Sequence, residues 1–241
     1  MNAKTLQKLL EINNTFYDQF SESFSSTRHQ AQSGTDRFVQ EICSAESVLD
    51  IGCGNGTFAR ALIEEGFSGQ YVGIDLSEGL LSHARALTDN PQQAQISFTF
   101  ANLADPSWIN EIPPQTFNWL VCFAVLHHIP GGDLRQQIVS RFKKLLLEGG
   151  KIAVSTWQWQ NSARLFSHVL PWSTVGIDPQ DVDEGDVLLD WRAGESPGIR
   201  YVHTFTAASL SFLAESCGFS IESSFFSDGK TGNLALYQVW T

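Results

Sequence analysis

The residues best placed to do chemistry gather in four short stretches of the chain. The first is Val48-Leu-Asp-Ile-Gly-Cys-Gly-Asn-Gly56, where Gly52, Gly54 and Gly56 let a ligand approach the backbone with no Cβ in the way. Dinucleotide loops follow Gly-x-Gly-x-x-Gly, but the last position of that pattern here is Thr57. Asp50, just ahead of the loop, would repel a pyrophosphate and suits a cationic amino-acid head group. The loop, with Cys53 and Asn55 inside it, therefore disfavours NAD and favours a ligand carrying an ammonium and a sulfonium. The second stretch is Asp75-Leu76-Ser77, whose acid lies 25 residues after Asp50. An acid at such a distance commonly accepts hydrogen bonds from both ribose hydroxyls. The third, Asn102-Leu103-Ala-Asp105, is placed to contact an adenine edge. The fourth, Phe123-Ala-Val-Leu-His-His-Ile-Pro130, faces the same crevice with His127 and His128. One of these histidines should face a substrate and the other pack or bond to backbone, and either assignment is open. No second His or Cys stands at metal-ligand spacing, so no metal is expected. Cys53 has no adjacent base to make it a nucleophile, and no Gly-x-Ser-x-Gly elbow marks a hydrolase.

The elements that must position these residues alternate. Leu6, Leu9, Leu10, Asn13, Phe16 and Phe20 recur at helical spacing within a helical segment 1–45. Strands are expected at Ser47–Ile51, Tyr71–Asp75, Ile96–Phe100, Phe117–Val125 and Lys151–Thr156, with helices at Thr57–Glu65, Glu78–Leu87 and Leu134–Leu147 between them. Strict alternation implies an α/β fold: a parallel, doubly wound, Rossmann-like sheet with helices on both faces. Residues 46–156 form its core. The stretch 157–203, rich in Trp, Pro, Gly and acid, reads as an insert over the sheet that acts as a lid on the substrate. A helix Thr206–Cys217 and two strands, Phe219–Phe226 and Leu234–Trp240, complete the chain at 204–241 as one domain, and the closing hairpin makes the last of seven strands antiparallel.

Composition narrows the partners. The 241 residues are 42% hydrophobic, enough for a core, and the four cysteines are scattered, which fits a reducing compartment. No apolar run spans a bilayer, and Met1 leads into Lys4, Lys8 and Glu11 rather than the apolar stretch of a secretory signal, so no membrane contact and a cytoplasmic location are expected. The net charge is −11, and Asp178 to Glu195 holds seven carboxylates against Arg192 alone. Proteins that hold bare nucleic acid by its phosphates usually show a basic face. A milder basic cluster at Arg135, Arg141, Lys143, Lys144 and Lys151 reads, like the acids, as solvated surface.

These motifs resemble the class I S-adenosylmethionine-dependent methyltransferases over about residues 45–160. Val48–Gly56 looks like the cofactor loop of that superfamily, Asp75 its ribose acid and Leu103–Asp105 its adenine contact. The flanks are similar to the tRNA wobble-uridine carboxymethyl methyltransferases: Phe16-Tyr-Asp, Phe24-Ser-Ser-Thr-Arg28, Gly185–Arg192, Arg200–Phe205 and Ser224–Gly229. Where that group has Pro-Trp-Pro, this chain has His29-Gln-Ala-Gln-Ser33. The resemblance implies S-adenosylmethionine as cofactor, with Tyr17 and Arg28 folding over it and Arg28 forking onto its carboxylate. A carboxylate acceptor, already ionised at neutral pH, needs no base. Arg192, Arg200 and His203 of the insert are expected to grip such an anion. The expected activity is methylation of a carboxylate such as carboxymethyl-uridine in tRNA, with a basic partner subunit helping to bind the RNA. The alternatives are a small-molecule acid as acceptor, or a non-catalytic cofactor-binding module.

Overall fold

The computed structural model describes residues 1–26, 32–88, 94–113, 115–191 and 198–241. Two helices lead, α1 (Ala3–Ser26) and α2 (Ser33–Ile42). The alternating core follows as β1 (Ser47–Ile51), α3 (Thr57–Glu64), β2 (Gln70–Asp75), α4 (Glu78–Ala84), β3 (Gln95–Phe100), β4 (Phe117–Phe123), α5 (Gly132–Phe142) and β5 (Leu146–Trp157). Next come α6 (Ala163–Phe166), β6 (Val169–Leu170), β7 (Asp186–Trp191) and β8 (Gly198–His203), and finally α7 (Ala207–Ser216), β9 (Ile221–Ser227) and β10 (Ala235–Trp240).

Seven strands form one sheet in the order β3-β2-β1-β4-β5-β10-β9, and β10 runs antiparallel to both of its neighbours. This is the doubly wound α/β sheet with an antiparallel last strand. Side chains alternate across it. Leu49, Ile51, Val72, Ile74, Leu120 and Cys122 pack under α5 and α7 on one face. Val48, Tyr71, Trp119 and Val121 pack under α2, α3 and α4 on the other. With both faces covered, β1 and most of β4 are buried throughout, as parallel strands require. The chain leaves β1 toward β3 in one direction and returns to β4 on the other side, so the strand order reverses between β1 and β4. A crevice must open at the carboxyl ends of those two strands.

The insert carries more regular structure than its sequence suggested. Strands β6, β7 and β8 make a second, three-stranded antiparallel sheet. Helix α1 lies against it through Leu9, which joins Leu188 and Tyr201 in a separate apolar cluster. Several acids there are bound rather than solvated. Asp186 accepts from the Tyr201 hydroxyl at 2.7 Å, Asp183 lies 3.8 Å from Arg135, and Asp190 pairs with His168. Arg135 is itself buried, at 5% exposure, and donates to the Ile129 carbonyl at 2.9 Å. Among the described residues, no helix is long and apolar enough to cross a membrane.

Candidate functional site

At the β1/β4 crevice lies a cavity of about 380 Å³, within the usual range for small-molecule sites. The glycine loop forms its floor. Gly52 has φ +78°, and a Cβ there would stand 2.2 Å from Val125 Cγ2. Gly54 has φ +56° with nothing within 4 Å of its Cβ direction, so its backbone meets the cavity directly. Cys53 and Asn55 line the same wall. Burial and the nearby Asp75 and Asp50 push the Cys53 thiol well up, which favours its protonated form. Gly56 does not line the cavity, contrary to expectation. It starts α3 with φ +77°, and a Cβ there would press on Leu87 and Ala84, so packing demands this glycine.

Asp50 and Asp75 both line the cavity. Asp75 Oδ2 accepts from the Gly54 backbone N–H at 2.8 Å and Oδ1 from that of Ser77 at 2.9 Å. Each oxygen keeps a lone pair for a further donor. Burial raises the Asp75 carboxyl, and the backbone N–H groups oppose that rise. Asp50 is 2% exposed and receives the hydroxyl hydrogen of Tyr71. Burial pushes its pKa up to about 7 against the Tyr71 hydrogen bond, and the negative Asp75 nearby adds to the rise. Leu76, Asn102 and Leu103 line the cavity beyond Asp75. Ser77 does not: its hydroxyl caps α4 by accepting from Leu80 N–H, while its own N–H holds Asp75. Asp105 is likewise absent from the wall, since its carboxylate closes a turn onto Ser107.

Phe123, His127, His128 and, from α1, Tyr17 also line the cavity. His128 Nδ1 lies 3.1 Å from the Tyr201 carbonyl, which can only accept. A neutral ring therefore carries its proton on Nδ1 and receives the Tyr17 hydroxyl on Nε2, at 2.7 Å. His127 Nδ1 accepts from the Trp157 backbone N–H at 3.3 Å. Both histidines thus reach the cavity, and each uses a lone-pair nitrogen on a protein donor.

The insert contributes Arg200, 4% exposed, the single Arg or Lys on the cavity wall among the described residues. Its guanidinium carbon lies 4.4 Å from the Trp157 ring centre, 5.1 Å from Trp191 and 5.4 Å from Phe16. Such rings favour a cation against their faces while excluding water. His203 does not join Arg200. Successive side chains of a strand point to opposite faces. Tyr201 and His203 share one face, where both bond Asp186 Oδ1, His203 Nδ1 at 2.7 Å. His203 lies off the cavity and is corrected to a structural role. Arg28 and Arg192 lie outside the described residues.

Asn13, Asp228 and Tyr237 are among the wall residues that lie outside the expected site. Asn13 stands on the buried face of α1, where a polar residue among Leu and Phe was the available signal. Asp228, at φ +68°, accepts from Gly34 N–H at 2.8 Å and the Tyr237 hydroxyl at 2.6 Å. The tertiary fold brings both to the cavity: Asp228 lies in the family-like stretch Ser224–Gly229, which gave no site role, and nothing local marked Tyr237.

Comparison with known proteins agrees with this geometry. Residues 24–224 match the family model described as a methyltransferase domain. The chain is similar to the tRNA (carboxymethyluridine(34)-5-O)-methyltransferase of Schizosaccharomyces pombe, 25% identical over 218 residues, which cover 85% of this chain and 87% of that one. It is also similar to a ubiquinone biosynthesis O-methyltransferase of Idiomarina loihiensis, 33% identical over 138 residues, about half of either chain (54% and 52%). Among solved structures, the CcbJ methyltransferase from Streptomyces caelestis superposes with a TM-score of 0.69 at 16% identity, covering 94% of this chain and 97% of that one. At that identity the likeness is one of fold.

Proposed function

This chain belongs to the methyltransferase-domain family and is an S-adenosylmethionine-dependent methyltransferase, and on that premise we propose that its methyl acceptor is a carboxylate. The cavity suits the cofactor. Asp75 has lone pairs left for ribose hydroxyls, Gly54 leaves open space beside its backbone, and Asp50 offers negative charge to an ammonium. When bound, S-adenosylmethionine supplies an electrophilic methyl group on a sulfonium. The protein's own residues would align the acceptor and keep water out, and such positioning is worth up to roughly 7–11 kcal/mol.

The observation that carries the acceptor class is Arg200, a buried guanidinium facing the cavity from an aromatic surround. A guanidinium fork matches a carboxylate in two parallel hydrogen bonds. The histidines support the same reading. Their lone-pair nitrogens already accept from Tyr17 and Trp157, so the wall is built for an acceptor that needs no base. The favoured acceptor is the carboxymethyl group of a modified wobble uridine in tRNA, because the similarity to the fission-yeast enzyme runs through the insert as well as the core. The net charge of −11 then calls for a basic partner to carry the RNA. That same charge favours the second reading, a small-molecule acid.

Methyl-labelled cofactor offered to total tRNA and, separately, to a small-molecule extract distinguishes the two. Label in RNA supports the first reading and label confined to the small-molecule fraction supports the second. In whichever fraction is labelled, Arg200→Lys should lower transfer by about tenfold or more, because an ammonium keeps the charge but loses the fork. Its affinity for S-adenosylhomocysteine should stay within about threefold, and unchanged transfer would remove Arg200 from the acceptor site.

A further inference from the structure

We propose that Asn13 is a positioning residue through which α1 assembles the acceptor side of the cavity. Its side chain is 5% exposed and every polar atom of it is used. Nδ2 donates to the His128 carbonyl at 2.9 Å and to the Tyr201 carbonyl at 3.1 Å, while Oδ1 accepts from Tyr201 N–H at 2.8 Å. Two carbonyls on one side and an N–H on the other admit one orientation of the amide.

Strand β8 is an edge of the small sheet, so its outer N–H and C=O groups need partners. At Tyr201 the Asn13 amide meets both, as a neighbouring strand would. That fixes the backbone next to Arg200, the cation on the cavity wall. The Tyr201 carbonyl also takes His128 Nδ1 at 3.1 Å, so one oxygen joins α1, β8 and the crevice histidine. One helical turn after Asn13, Tyr17 closes on His128 Nε2 at 2.7 Å. Asn13 holds the backbone of His128 and Tyr17 holds its ring. The helix thereby sets the ring's orientation and tautomer and, through β8, the place of Arg200. Docking of α1 completes the acceptor pocket.

The inference rests on the methyltransferase assignment and not on the chemical class of the acceptor, so its test reads the histidine directly. Two-bond ¹H–¹⁵N spectra of the full-length protein should show His128 as the Nδ1–H tautomer. In Asn13→Ala the signal should move toward the Nε2–H form or a mixture, while affinity for S-adenosylhomocysteine stays within about threefold. In Tyr17→Phe, which removes only the hydroxyl, the Nε2 shift should move while Nδ1 keeps its proton. Initial rates of methyl transfer in the labelled fraction should fall by about tenfold in Asn13→Ala, with cofactor affinity held. An unmoved His128 spectrum in either variant overturns the proposal. Should Asn13→Ala fail to fold, Asn13→Asp decides it: the isosteric side chain keeps the acceptor for Tyr201 N–H and loses both donors, so the same movement of the His128 signal is expected. Failure of the carboxylate reading would look different: an alkali-stable methylated product with the His128 tautomer as stated.

Discussion

Asp50, buried, and Asp75, half-buried, both line the cavity, and their protonation links the site to pH. Asp50 has its pKa raised from 3.8 to about 7 and Asp75 is raised as well, both chiefly by burial. Between those two values the folded protein binds a proton at Asp50 that the unfolded chain has released. The contribution of Asp50 to stability therefore falls as pH rises from about 4 to about 7. A ligand with an ammonium beside Asp50 prefers the ionised form, so its binding must expel that proton below about pH 7. Affinity for S-adenosylhomocysteine should accordingly rise with pH and level off above about 7, with proton release visible when calorimetry is repeated in buffers of different ionisation heat. Affinity that is flat across that range would separate Asp50 from the ammonium. At this scale much was legible. Asp50, Asp75, Gly52, Gly54 and both histidines were marked by type and spacing, and all six line the cavity. His203 stands near Arg200 in sequence, whereas strand alternation turns the two to opposite faces. Asn13 was visible as a polar residue in an apolar stripe, but the backbone groups it satisfies belong to residues 128 and 201, beyond the reach of any local pattern.

Elements show the same division between local signal and tertiary demand. Strands β1, β2 and β4 follow from short apolar runs between glycines and caps, β3 from alternation, and their helices from periodicity. Helix α5 ends at Phe142, earlier than the run to Leu147 suggested, because β5 claims Leu146 as the register partner of Phe117. In the insert, consecutive Leu188 and Leu189 are both buried, one beside Leu9 of α1 and the other beside Trp159. A strand covered on both faces loses its alternation, which is why β7 escaped notice. The glycine loop offers a sharper test. Gly52 and Gly54 both have positive φ, so alanine at either costs about 1–2 kcal/mol. Only at Gly52 would the new Cβ also collide, at 2.2 Å from Val125 Cγ2, a side chain of the β4 end. Gly52→Ala should therefore lower the melting temperature clearly more than Gly54→Ala. Gly54→Ala should unfold nearer the wild-type temperature yet lose affinity for S-adenosylhomocysteine, since its methyl group enters the ligand's space. The reverse order of melting temperatures would mean that the loop is held by contacts other than β4.

On the scale of the whole molecule, charge and shape are arranged around one crevice. The net charge is −11, yet a buried guanidinium lines the cavity from the insert, along with the carboxylates Asp50, Asp75 and Asp228. The cavity thus combines carboxylates, which suit an ammonium and hydroxyls, with one guanidinium, on which the proposed anionic acceptor depends. Fold class, strand order and the place of the crevice follow from the alternation of elements. The small sheet and the grip of α1 upon it depend on contacts between residues more than a hundred positions apart, such as Asn13 with Tyr201, and no local spacing reports those. The chemistry of the acceptor is read most directly from the bond formed to the transferred methyl group. Product labelled by the purified protein, from tRNA or from extract, should be treated with mild alkali and the volatile fraction counted. Transfer to a carboxylate makes a methyl ester, so the label should leave as methanol. Label that stays on the product through alkali would mean methylation at nitrogen, carbon or a hydroxyl, and would contradict the role of Arg200 as the anchor of a carboxylate acceptor.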